Sequence, residues 1–104
     1  MSVPNISETG AHLIAAERQR QIDVEGYQPE HDDHHASGEL LNAAHSYLVA
    51  PFYRDHAAPP WSWPWPDQYW KPIPDHRVRE LVKAGALIAA EIDRLQRSTA
   101  RTCG

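Results

Sequence analysis

Seven of the nine prolines and all four tryptophans fall between positions 51 and 74, and that segment limits what the chain can fold into more than any other. Proline fixes φ and has no N–H to donate, so neither a continuous helix nor a central strand can run through it. Phe52, Tyr53 and Tyr69 lie in the same stretch, which makes it too aromatic for a flexible linker. It reads as an ordered loop folded over the rest of the chain. In Trp61-Ser62-Trp63-Pro64-Trp65-Pro66 three indoles take alternate positions. An extended backbone would set them along one side, and a polyproline helix would distribute them around it.

Either side of this loop the apolar spacing is helical. A first helix is expected over about 6–24, with Asn5 and Glu8 at capping-box spacing and Gly26 as the stop. Its inner face reads Gly10, Leu13, Ile14, Glu17, Gln21, Val24, so a carboxylate and an amide interrupt the apolar stripe. Burying a carboxylate without a partner is costly, so Glu17 is expected either to pair with an arginine such as Arg94 or Arg18, or to serve a site. A second helix is expected over 38–50, with Leu40, Leu41, Ala44, Tyr47 and Leu48 on one side, ended by Pro51. The third is expected over 75–97 with Asp75 as N-cap and a stripe of Val78, Leu81, Val82, Gly85, Ile88, Ala89, Ile92 and Leu95. Gly85, between Ala84 and Ala86, would let another helix approach closely.

The expectation is therefore an all-α domain spanning 1–104, a small bundle of three main helices with an ordered Trp/Pro-rich loop over 51–74. Its thin helical core favours a homo-oligomer. The formal net charge of −4 argues against non-specific nucleic-acid binding, which needs a basic surface. No apolar run approaches the roughly 20 residues of a membrane helix, and the N-terminal residues do not read as a secretory signal, so the expected partners exclude membranes and the expected compartment is the cytoplasm. The single cysteine, Cys103, supports neither a disulfide framework nor a thiolate zinc site.

Three groups of residues could carry chemistry. Glu30, His31, Asp32, Asp33, His34 and His35 offer imidazole and carboxylate ligands for a divalent cation, with His31, Asp32, His35 and Glu39 as the candidate metal set. The same acids also suit a solvated turn that favours the start of the second helix. Glu17, Glu39, Glu91 and Asp93 are acids on or beside helix faces, and inward-facing acids are how bundles hold metals such as Mg²⁺; the simpler reading leaves them as surface or arginine-paired acids. In the loop, Trp63, Trp65 and Trp70, with Tyr27 from the first turn region, could stack on a planar ligand while Lys71 and Arg77 (with Arg54 and Arg79 near in sequence) meet phosphate. The alternative is that these indoles fill the missing core.

Several stretches together resemble a family of small phage and prophage proteins: Glu17-Arg18-Gln19-Arg20-Gln21, Glu25-Gly26-Tyr27, His31-Asp32-Asp33, Gly38-Glu39-Leu40, Trp63-Pro64-Trp65, Trp70-Lys71-Pro72, Leu81 to Ile88 and Glu91-Ile92-Asp93-Arg94-Leu95. The resemblance covers about residues 13–97 and implies a phage accessory protein working in the cytosol of a bacterial host. A weaker resemblance is to MazG-type all-α nucleotide pyrophosphohydrolases, which implies Mg²⁺ held by Glu17, Glu39 and the Glu91/Asp93 pair. There Glu39 departs from the paired-glutamate motif, being followed by Leu40, Leu41 and Asn42. The preferred expectation is binding of a small nucleotide-like or anionic ligand by Glu17, Gln21, Tyr27, Trp63, Trp65, Trp70, Lys71 and Arg77, in one form sequestering a host signalling nucleotide. The alternatives are the hydrolase and a protein-interaction module using Trp61, Trp63 and Trp65.

Overall fold

The computed structural model describes residues 8–24, 26, 34, 37–55 and 58–103, with backbone alone for 101–103. Among the described residues the regular structure is three helices and two short 3₁₀ turns: α1 (Gly10–Asp23), α2 (Glu39–Leu48), turns at Pro51–Tyr53 and Asp67–Tyr69, and α3 (Arg77–Cys103). No strand occurs among the described residues, and no helix there is long and apolar enough to cross a membrane. The protein is the expected small all-α bundle, with α3 as the shared element against which both α1 and α2 pack.

The helix boundaries follow local chemistry. α1 starts at Gly10, later than expected, because Thr9 takes the N-cap role and its Oγ1 accepts from the His12 N–H at 3.2 Å. Asn5 lies outside the described residues. Gly38 precedes α2 with φ of +90°, the left-handed region open to glycine. Val49 and Ala50 are already extended ahead of Pro51, as the clash with a following proline ring requires. α3 begins at Arg77 rather than at 75. The Glu80 N–H donates to the His76 carbonyl and the Arg79 N–H approaches His76 Nδ1 at 3.4 Å, so His76 caps this helix in place of Asp75.

The core is Leu40, Ala43, Ala44 and Tyr47 of α2 against Ala84, Leu87 and Ala90 of α3, with Trp63, Trp65, Trp70 and Ile88 packed around it. The interhelical surface is mostly alanine, so the loop's indoles supply the bulk. Tyr47 meets Trp70 at 4.7 Å and Trp63 edge-on at 5.8 Å between ring centroids. This corrects two expected stripes. Leu41 and Leu48 of α2 and Val78, Leu81, Ile92 and Leu95 of α3 are exposed in the chain, while Ala43, Ala84, Leu87 and Glu80 are inside. On α3 the buried face carries Ala84, Leu87 and Ala90, covered by α2 with the loop's indoles packed around it, and Val78, Leu81, Ile92 and Leu95 fall off that face.

Gly85 does what its spacing suggested. A Cβ there would lie 2.6 Å from Ile14 Cδ1 and 2.8 Å from its Cγ1, so α1 rests directly on the α3 backbone at this point. The loop is tied to α2 by a chain of hydroxyls. Ser62 Oγ lies 3.1 Å from His45 Nδ1 and 2.7 Å from Ser46 Oγ, and Ser46 Oγ donates to the Asn42 carbonyl at 2.9 Å. Ser46 and Ser62 are both buried, and each is satisfied by the chain.

Candidate functional site

Two buried carboxylates organise the polar interior. Glu17 of α1, 2% exposed, accepts from Arg20 Nε and Nη2 (both 2.8 Å), from Arg79 Nη2 of α3 (2.5 Å) and from Gln21 Nε2 (3.2 Å). Burial pushes its carboxyl up, but the Arg20 hydrogen bonds and the charges of Arg79 and Arg20 outweigh that and hold it below the usual carboxylate range. The arginine pairing foreseen for Glu17 is real, with different partners. Arg94 instead forks onto Glu91 on its own helix (2.6 and 3.0 Å), and Arg18 stands 4.0 Å from Asp93.

Glu80 is the second. Its side chain accepts from Arg54 Nη2 (2.7 Å), Arg77 Nη1 (3.0 Å) and the Ile73 N–H (2.9 Å). Burial raises its pKa, and the Arg54, Ile73 and Arg77 bonds together bring it below the ordinary value. Arg77 also donates to the carbonyls of Tyr47 (2.7 Å), Val49 (3.3 Å) and Leu48, the orphan acceptors at the end of α2. Arg77 is thus the C-cap of α2, not the phosphate contact expected of it. Arg54 spans Glu80 and the Trp70 ring, 5.4 Å from its centroid.

Between α1, the loop and α3 lies a cleft of about 280 Å³, lined by Glu17, Arg20, Gln21, Tyr47, Trp63, Trp65, Tyr69, Lys71, Lys83 and Leu87. Five of the eight expected ligand residues meet there: Glu17, Gln21, Trp63, Trp65 and Lys71. Trp70 does not; it packs into the core against Tyr47 and Trp63. Tyr27 lies outside the described residues. So do His31, Asp32 and His35 of the candidate metal set. The fourth, Glu39, accepts from the Ser37 N–H at 2.8 Å, a turn contact ahead of α2. Among the described residues no group of three His, Cys, Asp or Glu side chains could hold a metal ion.

Arg20, Tyr47, Tyr69 and Lys83 complete the cleft and were not foreseen as ligand residues. Lys83 Nζ lies 3.4 Å from the Lys71 carbonyl and 5.5 Å from the Tyr47 ring centroid, while the Lys71 N–H reaches Tyr47 Oη at 3.4 Å. Tyr69 is 53% exposed. A signal for it was present. Trp70 is extended, with φ −76° and ψ 115°, so Tyr69 and Lys71 turn to one side of the chain and Trp70 to the other. The same alternation brings Trp63 and Trp65 to the cleft, edge to face at 5.3 Å. Trp61 breaks the series: it is 90% exposed and lies beside His45 at 5.9 Å. The lining holds three cationic side chains against one carboxylate, and that carboxylate already accepts four hydrogen bonds. No protein-family model, curated protein or solved structure matches this chain.

Proposed function

We propose that this is a phage accessory protein that binds a small anionic ligand carrying a planar ring, a nucleotide-like molecule, in the cleft between α1, the loop and α3. The observation that carries the reading is the lining: Lys71, Lys83 and Arg20 beside Trp63, Trp65 and Tyr69, in a chain of formal net charge −4. Cations concentrated in a concave, partly apolar site favour an anion there, and aromatic walls favour a flat ring. Sequestering a host signalling nucleotide in the bacterial cytosol is the biological form this binding would take. Isothermal titration of the folded chain against a nucleotide panel tests it. Heat with at least one member supports the reading, and none with any member overturns it.

A homo-oligomer belongs to the same proposal. Val78 and Leu81 lie exposed near the start of α3 and Ile92 and Leu95 about three turns further on, with Leu41 and Leu48 exposed on α2, and a second copy would remove that apolar surface from water. The hydrolase alternative would need Glu17, Glu39, Glu91 and Asp93 at a metal; Glu17, Glu91 and Asp93 each have an arginine beside them instead, and Glu39 accepts from the Ser37 N–H. Of the three indoles of the interaction alternative only Trp61 is largely exposed, with Phe52 and Tyr53 exposed elsewhere in the loop, while Trp63 and Trp65 pack against the core.

A further inference from the structure

We infer that the cleft takes a single nucleoside-monophosphate-sized unit, its ring on Tyr69 and its phosphate between Lys71 and Lys83. The inference rests on the anion-binding reading above and sharpens it in size, charge and contact residues. Size comes first. Sites for drug-sized ligands begin at about 300 Å³, and 280 Å³ lies at that lower bound, enough for one ring-plus-phosphate unit and too little to enclose two. The placement of the subsites comes next. Tyr69 has no ring or side-chain hydrogen-bond partner among the described residues, and the Lys71 ammonium likewise has none. They flank the extended Trp70 and both line the cleft, so a ring lying on Tyr69 carries a group one sugar away into reach of Lys71. Lys83 is held over the Tyr47 ring and against the Lys71 carbonyl, and it lines the same cleft as Lys71. Glu17, saturated by Arg20, Arg79 and Gln21, contributes no acceptor that would draw in a cation, so a phosphate dianion matches the lining better than a zwitterion or an amine. Ligand ring stacking on a tyrosine face tolerates any base, so the site selects for phosphate and size before base identity.

The test is calorimetric titration of the full chain with AMP, GMP, CMP and UMP, and in parallel with adenosine, inorganic phosphate and a cyclic dinucleotide. At least one monophosphate should bind tenfold or more tighter than adenosine or inorganic phosphate. Lys71→Glu should weaken it at least tenfold, and Tyr69→Ala by roughly 5- to 150-fold, the range of one lost base stack. Both side chains are exposed, so circular dichroism should report unchanged folding in each variant. Inorganic phosphate binding as tightly as every monophosphate would overturn the ring subsite while leaving an anion cleft. A cyclic dinucleotide binding where no monophosphate does would overturn the size limit in the same way. Silence from every probe would remove this inference, with the broader titration panel then deciding the reading beneath it.

Discussion

Glu80 is the side chain whose loss should cost the fold most. It is completely buried and joins three elements: the Pro51–Tyr53 turn through Arg54, the end of the loop through Ile73, and the first turn of α3 through Arg77. Glu80→Gln keeps an oxygen for the Ile73 N–H but removes the charge facing Arg54, whose side chain is only 5% exposed. Removing one partner of a buried ion pair costs about 3–5 kcal/mol, mostly because the other charge is left buried alone. Here the lower end applies, since the amide still accepts and Arg77 is a third exposed. About 3 kcal/mol, at no less than about 4 °C per kcal/mol for a domain of this size, lowers the melting midpoint by about 12 °C or more. Thermal and urea unfolding followed at 222 nm, at one fixed protein concentration, measures it. The double variant Arg54→Met with Glu80→Gln removes the stranded charge and should recover at least half the loss. A Glu80→Gln midpoint within 3 °C of the parent, or a double variant no more stable than the single, would refute the reasoning.

Three further outcomes are expected. Glu17 and Glu80 both have folded pKa values below the ordinary glutamate value of 4.5, so their contribution is complete above that value and is lost as pH falls from there through the lower folded values; the melting temperature should change little from pH 7 to 5 and drop below 4.5, with the decline shallower in a Glu17→Gln/Glu80→Gln variant, and stability that rises on acidification would contradict this. Gly85→Leu should separate α1 from α3, destabilising by roughly 1–3 kcal/mol through overpacking against Ile14, and unchanged denaturant midpoints would count against the close approach. Ile92→Glu, on the exposed α3 stripe, should shift light scattering towards monomer without lowering helicity, whereas an unchanged mass for an oligomeric parent would clear that stripe of any role in assembly.

The three helices and the ordered loop were legible because periodicity and proline placement are local signals. What is tertiary was not. The anomaly at Glu17 was visible as an acid in an apolar stripe, but its partner Arg79 is 62 residues away and no spacing rule reaches that far. The α3 stripe misled because pattern alone cannot tell whether Val78 and Leu81 face the chain's own core or another surface. With α2 and the loop's indoles packed on the Ala84 and Leu87 side, Val78 and Leu81 are left outside. Reading Trp70 and Arg77 as ligand contacts rests on aromatic and basic residues in and just after a loop, which suit one. Packing of the first on Tyr47 and the α2 carbonyls around the second give them structural work instead. Tyr69 was readable in principle, from its alternation with Trp70.

The way Arg77 finishes α2 bears on the order in which the chain comes apart. A helix whose last carbonyls are satisfied by a side chain about 28 residues downstream cannot keep its end once that downstream turn melts, so α2, the loop and the head of α3 should open and close as one cooperative block. α1 is outside that arrangement, held to α3 by Glu17 with Arg79 and by Ile14 on Gly85. Its amides are therefore expected to exchange through a separate, lower-energy opening, and since α1 supplies Arg20 and Gln21 to the cleft wall, that partial opening would widen the cleft.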